Sequence, residues 1–481
     1  MDYYVGIDLG TSCVKVLLLN SEGETLSTVT KEYPLYFPHS GWSEQNPADW
    51  YNQTVNALKE LLNGVDGENV CSFSFSGQMH GLVMLDEDDN VIRPAILWND
   101  SRSQVQTDRL NEDKVFLLDN TANIAFAGFT LPKLLWVKEN EAENYSKINK
   151  IMLPKDYLAY MLSGEFCTDV SDASGTLYFD VEKRNWSENI LKRFNINKNW
   201  LPKVLESDEC AGCLKKEIAD MLVLKDVKII IGAGDNAAAA IGTGTVKDGD
   251  CNISLGTSGT VFTVSNKFGL DRNSAIHSFC SAGRNYHQMA CMLSAAVCCN
   301  WWVEKILGDS YDSVFSKSDI LGKNEIMFLP YLMGERSPLN DTDVRGMFFG
   351  LSLDTDKNDM SLAVLEGVAF ALRHNIDIIR DMINIEKSNI CGGGTKNKLW
   401  LKIIANVLGI KLQIPANQEG ASLGAALLAA KGVMSKKEYA ELENKVYKTA
   451  ETIIPTKELT EKYEEKYRYW RKLYPAIKEI R

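Results

Sequence analysis

The sequence predicts an α/β protein of two domains, each opening on an antiparallel β-hairpin, and three observations predict it. At 481 residues the chain exceeds what one hydrophobic core organises, so two domains of roughly 200 residues or more are expected. Strand-like runs at 70–75 and 227–231 are interspersed with helical periods at 49–62 and 131–140, the mixture that an α/β fold requires. Finally, the tetrapeptide Leu9-Gly10-Thr11-Ser12 recurs as Leu255-Gly256-Thr257-Ser258, each time between two apolar strands.

The first hairpin joins Tyr3–Leu9 to residues 13–19, and Asn20-Ser21-Glu22-Gly23 turns the chain again. The opening is therefore a meander and not a strand feeding a helix. The second hairpin joins Cys251–Leu255 to residues 260–264. A repeated strand–turn–strand unit implies internal duplication. The polar, glycine-rich stretch 244–249 then divides an N-terminal domain, 1–246, from a C-terminal one, 247–481. Residues 458–480 read as a highly charged amphipathic helix broken at Pro475, its charge a solvated face.

Hydrophobic residues make up 45% and charged residues 24%, an ordinary globular composition. The net charge is -12 with Lys and Arg dispersed along the chain, which argues against nucleic acid as a partner. No apolar run approaches the ~20 residues that span a bilayer. The chain enters Tyr3-Tyr4-Val5-Gly6-Ile7 with no basic segment before it, so neither a membrane nor an export signal is expected. Eleven cysteines, scattered through apolar runs such as Val297-Cys298-Cys299, suit reduced thiols in the cytoplasm. Cys210-Ala211-Gly212-Cys213 has metal or redox spacing, but no second Cys/His pair stands near it, and no function is expected there.

Binding a phosphate without a basic patch requires backbone N–H groups converging from glycine-rich turns. Gly10-Thr11-Ser12 and Gly256-Thr257-Ser258-Gly259-Thr260 are two such turns. Gly392-Gly393-Gly394-Thr395 is a third, following a short strand at 389–391 and opening a helix at Lys398–Leu408, where the helix dipole would favour an anion. No Walker loop occurs, and two of these turns open hairpins, so none is a dinucleotide fingerprint. Asp8 precedes the first turn; a carboxylate beside phosphates needs a cation between them, which implies hydrated Mg²⁺.

The apolar run 227–231 leads into Gly232-Ala233-Gly234-Asp235-Asn236 and then four alanines. Asp235 then stands at the mouth of a helix whose lack of bulk admits close approach. There the dipole is expected to favour its ionised form, ready to accept a proton from a substrate hydroxyl. The structural alternative is a helix N-cap. Ser76-Gly77-Gln78-Met79-His80-Gly81 is a sharp turn exposing polar side chains. Gln78 and His80 can bind sugar hydroxyls while Met79 supplies an adaptable apolar wall. In Ile96-Leu97-Trp98-Asn99-Asp100-Ser101-Arg102 an aromatic ring stands beside polar groups, a mixture that suits carbohydrate. Its alternative is a buried Trp98 with a surface Asp100–Arg102 pair.

These segments, with Leu131-Pro132-Lys133-Leu134-Leu135-Trp136, Leu153-Pro154-Lys155-Asp156-Tyr157, Asp169-Val170-Ser171-Asp172-Ala173-Ser174-Gly175-Thr176 and Gly334-Glu335-Arg336-Ser337-Pro338, resemble the FGGY family of carbohydrate kinases over nearly the whole chain. The resemblance implies two actin-like (ribonuclease H-like) domains of mixed sheets flanked by helices, with an active-site cleft between them. It implies ATP and Mg²⁺ as cofactors and a small-molecule sugar as the partner, with a homodimer compatible. Asp235 would be the proton acceptor, and Met79, His80, Asp235 and Asn236 would touch the sugar. Asp8, Thr257, Gly393, Gly394 and Asn397 would line the nucleotide and metal side. Gln78-Met79-His80-Gly81 points to the ketopentose D-xylulose as acceptor, with other ketoses or polyols as alternatives. Thr395-Lys396-Asn397 replaces the Ala-Lys/Arg-Ser expected there, a departure on the adenine side. A non-transferring actin-like ATPase would lack the sugar-type turn, and a sugar-responsive repressor would need a DNA-binding arm ahead of Tyr3.

Overall fold

The computed structural model describes residues 1–273, 276–315 and 321–480. Tyr3–Leu9, Cys13–Asn20 and Thr25–Glu32 form the antiparallel meander expected of the opening. On the other side of Tyr3–Leu9 lies Val70–Gly77, and beyond it Lys228–Gly234, each parallel to its neighbour, with Cys210–Cys213 antiparallel at the edge. The second sheet repeats this order. Thr449–Ile453 is antiparallel to Lys411–Pro415, which runs parallel to Lys387–Cys391. Next come the hairpin strands Cys251–Leu255 and Gly259–Ser265, with Tyr286–Met292 beyond. The duplication legible in one tetrapeptide thus extends to the strand order of both sheets.

Each sheet has its own core. In the first, Val5, Ile7, Val14 and Val16 alternate inward to meet Trp50 and Leu58 of helix Pro47–Leu61 and Phe73 of the neighbouring strand. Asn46 caps that helix by accepting from the Ala48 N–H, and Pro47 fits its first turn. In the second, helices Lys357–Arg380 and Lys398–Leu408 bury their apolar faces against Ile253 and Ile390. The charged helix near the end, Lys457–Trp470, buries Tyr463, Tyr467 and Trp470 in that core. Burying aromatic side chains of this size contributes about 1.5–3 kcal/mol each. Its break falls ahead of Pro475, where a short helix, Leu473–Lys478, begins.

The chain divides into two compact units, Met1–Val246 with Ser278–Tyr286 and Glu419–Tyr447, and Lys247–His277 with His287–Gln418 and Lys448–Arg481. Two segments of the expected C-terminal half therefore fold with the first unit. Ser278–Tyr286 is tied there by Asn123 Nδ2 donating to the Ser278 carbonyl at 2.9 Å and by the Cys280 N–H donating to Ser174 Oγ at 3.0 Å. Helix Gly420–Lys431 is the element that the small residues after Asp235 admit. A Cβ added to Gly424 would lie 1.8 Å from the Ala238 carbonyl oxygen, so backbone meets backbone there. Among the described residues no helix is long and apolar enough to cross a membrane.

Candidate active site

Three parallel strands of the first unit end level with one another, since Leu9 registers with Gly77 and Gly77 with Gly234. Gly10, Gln78 and Asp235 therefore leave the same sheet edge side by side. Carboxyl ends of adjacent parallel strands are where open α/β sheets bind ligands. Asp8 lies one step inside this edge, where its Oδ1 accepts from Ser76 Oγ at 2.9 Å. Burial pushes its carboxyl above the ordinary range despite that bond and the charge of Lys15, which is itself ion-paired with Glu419.

Asp235 is the first residue of helix Asp235–Gly242, and the cap position belongs to Gly234. Its Oδ1 accepts from the Asn236 N–H at 2.7 Å and from Asn236 Nδ2 at 2.8 Å. The helix end favours its ionised form, but its surroundings work against that. Burial, and next the charge of Asp8, push its carboxyl up to about 7. Desolvation disfavours the charged form, and a neighbouring carboxylate adds to the cost.

The Gln78–Gly81 turn does not present all its side chains alike. Gln78 is buried, its Nε2 donating to Gln45 Oε1 at 2.9 Å. Gln45 in turn donates to the Thr11 carbonyl at 2.6 Å, so Gln78 braces the first glycine turn from beneath. Met79 packs on Gly234, where an added Cβ would lie 2.9 Å from its Cγ. His80 has φ 71°, a left-handed conformation costly for a residue with a side chain. Its Nδ1 donates to the Gly175 carbonyl at 2.9 Å, and its ring leans on Phe129 at 4.6 Å. Because a carbonyl only accepts, Nδ1 carries a proton.

Trp98 and Asp100 exchange the roles the sequence offered them. Trp98 is 43% exposed and its Nε1 donates to Thr11 Oγ1 at 3.0 Å, linking it to the first glycine turn. Asp100 is buried and accepts from the Ser43 N–H at 2.6 Å and from Arg102 Nη2 at 2.7 Å. Arg102 also pairs with Glu44 and lies over the Trp42 ring at 3.7 Å. Asp100 is thus committed to a buried ion pair, and the expectation that it reads sugar hydroxyls is corrected. Cys210 and Cys213 are exposed on the edge strand.

The other glycine turns meet in the second unit. A cavity of about 810 Å³ is lined by Gly256, Thr257, Gly393, Gly394, Asn397 and Trp400, among others. Ser258 is exposed and is not part of this lining. The Gly256 and Thr257 carbonyls accept from the Ala296 and Ala295 N–H groups at 2.9 and 3.0 Å. Gly392 has φ 94°, and an added Cβ would meet the Leu255 carbonyl at 2.7 Å, so only glycine fits. The helix after the glycines spans Lys398–Leu408, the range the sequence predicts. One 3₁₀ turn, Gly393–Lys396, intervenes, and Asn397 caps Lys398–Leu408 by accepting from the Trp400 N–H at 3.0 Å. Asn300, Glu304 and Tyr311 also face this cavity. Sequence reasoning missed them, because they carry no glycine-turn signature.

Among the described residues no three or more His, Cys, Asp or Glu side chains gather as a metal cage. Mg²⁺ needs none, being held by one or two carboxylates with substrate phosphates and water. The recessed Asp8 carboxylate, opposed only in part by Ser76 and Lys15, fits such a cation.

Residues 3–242 match the N-terminal domain of the FGGY family of carbohydrate kinases, and residues 251–433 match its C-terminal domain. The chain belongs to the FGGY family of carbohydrate kinases. It is 36% identical to a xylulose kinase of Staphylococcus xylosus over 98% of this chain and 100% of that one. It is 39% identical to a xylulose kinase of Escherichia coli strain K12 over 91% and 92% of the two chains. The crystal structure of a xyloylose kinase from Brucella ovis superposes with a TM-score of 0.95 at 39% identity, covering 100% of both chains. The mixed α/β units, expected from the resemblance to be actin-like, are thus the architecture of this kinase family, and the chain is a carbohydrate kinase.

Proposed function

We propose that this kinase transfers the γ-phosphoryl group of ATP to a hydroxyl of D-xylulose, giving D-xylulose 5-phosphate, with Asp235 as the proton acceptor. The observation that carries the reading is Asp235 itself. Its carboxyl, pushed up to about 7, leaves a sheet edge beside the Gln78–Gly81 turn, with Met79 packed against Gly234. A base poised near neutrality suits proton transfer from an alcohol. The names of the full-length relatives support the choice of sugar.

In this reading His80 reads a sugar hydroxyl, and Met79 and Asn236 shape the wall around it. Trp98, exposed and tied to Thr11, offers a ring face for the C–H surface of an open-chain sugar. Asp8 would hold Mg²⁺, which when bound neutralises phosphate charge. Gly256, Thr257, Gly393, Gly394 and Asn397 would hold the nucleotide in the cavity of the second unit, and Gly10, Thr11 and Ser12 would offer amides to phosphate. Asp235 orients the attacking hydroxyl and takes its proton as the bond to phosphorus forms.

A panel of ketoses and polyols, assayed by ADP release, should give the highest kcat/KM with D-xylulose. In Asp235→Asn, which keeps shape but loses the proton acceptor, kcat should fall by ~10² or more with a modest change in sugar KM. A better polyol substrate would displace the sugar assignment, and near-normal turnover by Asp235→Asn would displace the base.

A further inference from the structure

Behind Asp235 runs a chain of buried polar groups that ends in one lysine and three acids. Lys155, Asp156, Asp169 and Asp172 all lie in the first unit with almost no solvent exposure. Lys155 Nζ is 2.6 Å from Asp156 Oδ1, 2.9 Å from Asp169 Oδ1 and 3.8 Å from Asp172 Oδ2. Both carboxylate oxygens of Asp172 lack a hydrogen-bond partner among the described residues, and burial pushes this group well above the usual carboxylate range. Three acids around one ammonium are a poor device for stability, because burying charge costs more than such pairing returns. The cluster therefore calls for a role in geometry.

Asp169 supplies that role. Its Oδ2 accepts from Ser171 Oγ at 2.5 Å, from the Ser171 N–H at 2.8 Å and from Ser207 Oγ at 2.7 Å. A hydroxyl has one proton, and that of Ser171 is directed at Asp169, so its lone pairs face elsewhere. One of them accepts the Gly234 N–H at 3.1 Å. Gly234 is the last strand residue before Asp235, and its peptide sets the direction in which the helix and its first carboxylate depart. The same short segment holds His80 through the Gly175 carbonyl.

We propose that Asp169 and Ser171 are positioning residues for Asp235, fixing through the Gly234 amide the peptide from which its carboxylate projects, with Lys155 holding Asp169 in place. The proposal rests on Asp235 being the proton acceptor. Ser171→Ala removes the acceptor for Gly234 without adding bulk. It should lower kcat about tenfold while KM for D-xylulose and ATP stays within about twofold, since misplacing a reacting group costs rate more than binding. Ser207→Ala deletes an equally buried bond to the same Asp169 oxygen but touches no amide next to Asp235, and should leave kcat unchanged. In the Asp235→Asn background Ser171→Ala should cause no further loss, because its effect passes through Asp235. A tenfold loss persisting in that background, an equal loss in Ser207→Ala, or no loss in Ser171→Ala overturns the proposal. Normal turnover by Asp235→Asn alone overturns the assignment of the base, and the proposal with it. Should Ser171→Ala not fold, Ser171→Cys, which keeps the volume but offers a poor acceptor, carries the same readout.

Discussion

The two hairpins carry the same Leu-Gly-Thr-Ser turn and differ in what surrounds it. Two residues before the first turn stands Asp8, and at the same place before the second stands Ser254. Asp8 registers with Ser76 on the parallel strand beside it, whereas Ser254 registers with Cys391. The first turn is braced by side chains, with the Gly10 carbonyl accepting from the Tyr33 hydroxyl and the Thr11 carbonyl from Gln45. The second is braced by the backbone of Ala295 and Ala296 and opens on a cavity of about 810 Å³. A turn with a carboxylate at its strand end can meet phosphate only across a cation, whereas a turn with a serine there can offer its own amides. In the proposed reading, the residue at the end of each strand sets what its turn can hold.

Exchanging those two residues breaks the comparison most sharply. Asp8→Ser gives the first hairpin the residue of the second, and ATP-dependent turnover should fall about 10²-fold. Calorimetric affinity for D-xylulose alone should stay within about twofold, and a parallel loss would make Asp8 structural. The same variant removes the charge that helps push Asp235 up, so NMR titration should place the Asp235 carboxyl near 7 in the wild type and lower in Asp8→Ser. The reverse change, Ser254→Asp, puts a charge beside the cavity of the second unit. It should raise the ATP KM about tenfold with the sugar KM unchanged; an unchanged ATP KM would move the nucleotide elsewhere. A smaller effect is expected of Trp98→Phe, which keeps a ring but loses the 3.0 Å bond to Thr11. Its kcat/KM should drop about three- to fivefold, in line with one partly exposed hydrogen bond.

What the sequence made legible was what local chemistry dictates. The hairpins, the helix Lys398–Leu408 and the placement of Asp235 at a helix mouth follow from strand periodicity and glycine punctuation, which neighbouring residues decide. Packing between distant segments was hidden. Nothing near Gly420 announces that its helix lies against Ala238, because small residues there read equally as loop or linker. The burial of Asp100 was hidden because the ring over Arg102, Trp42, and the second acid, Glu44, lie more than fifty residues upstream. The upward push on Asp235 was hidden for the same reason: the dipole of its own helix is visible locally, whereas burial and the charge of Asp8 arrive through the fold.

The second hairpin has a buried acid of its own, placed one layer back. Glu335 Oε1 accepts from the Leu293 and Arg336 N–H groups, both at 2.9 Å. Leu293 leads directly into Ala295 and Ala296, whose amides hold the Thr257 and Gly256 carbonyls. Burial pushes the Glu335 carboxyl up to about 8, outweighing those two bonds. An acid whose value is raised on folding holds its proton in the native state at a pH where the unfolded chain releases it. Its contribution to stability is therefore complete below the unfolded value and declines as pH rises toward and through about 8. Glu335→Gln keeps an acceptor and cannot ionise, so between pH 6 and 9 its melting temperature should fall several degrees less than that of the wild type. The ATP KM of the wild type should also rise over this range more than that of Glu335→Gln, because the ionised group loosens the segment beneath the second turn. Melting curves that run parallel across this range in the two proteins would mean that Glu335 is already ionised in the folded chain.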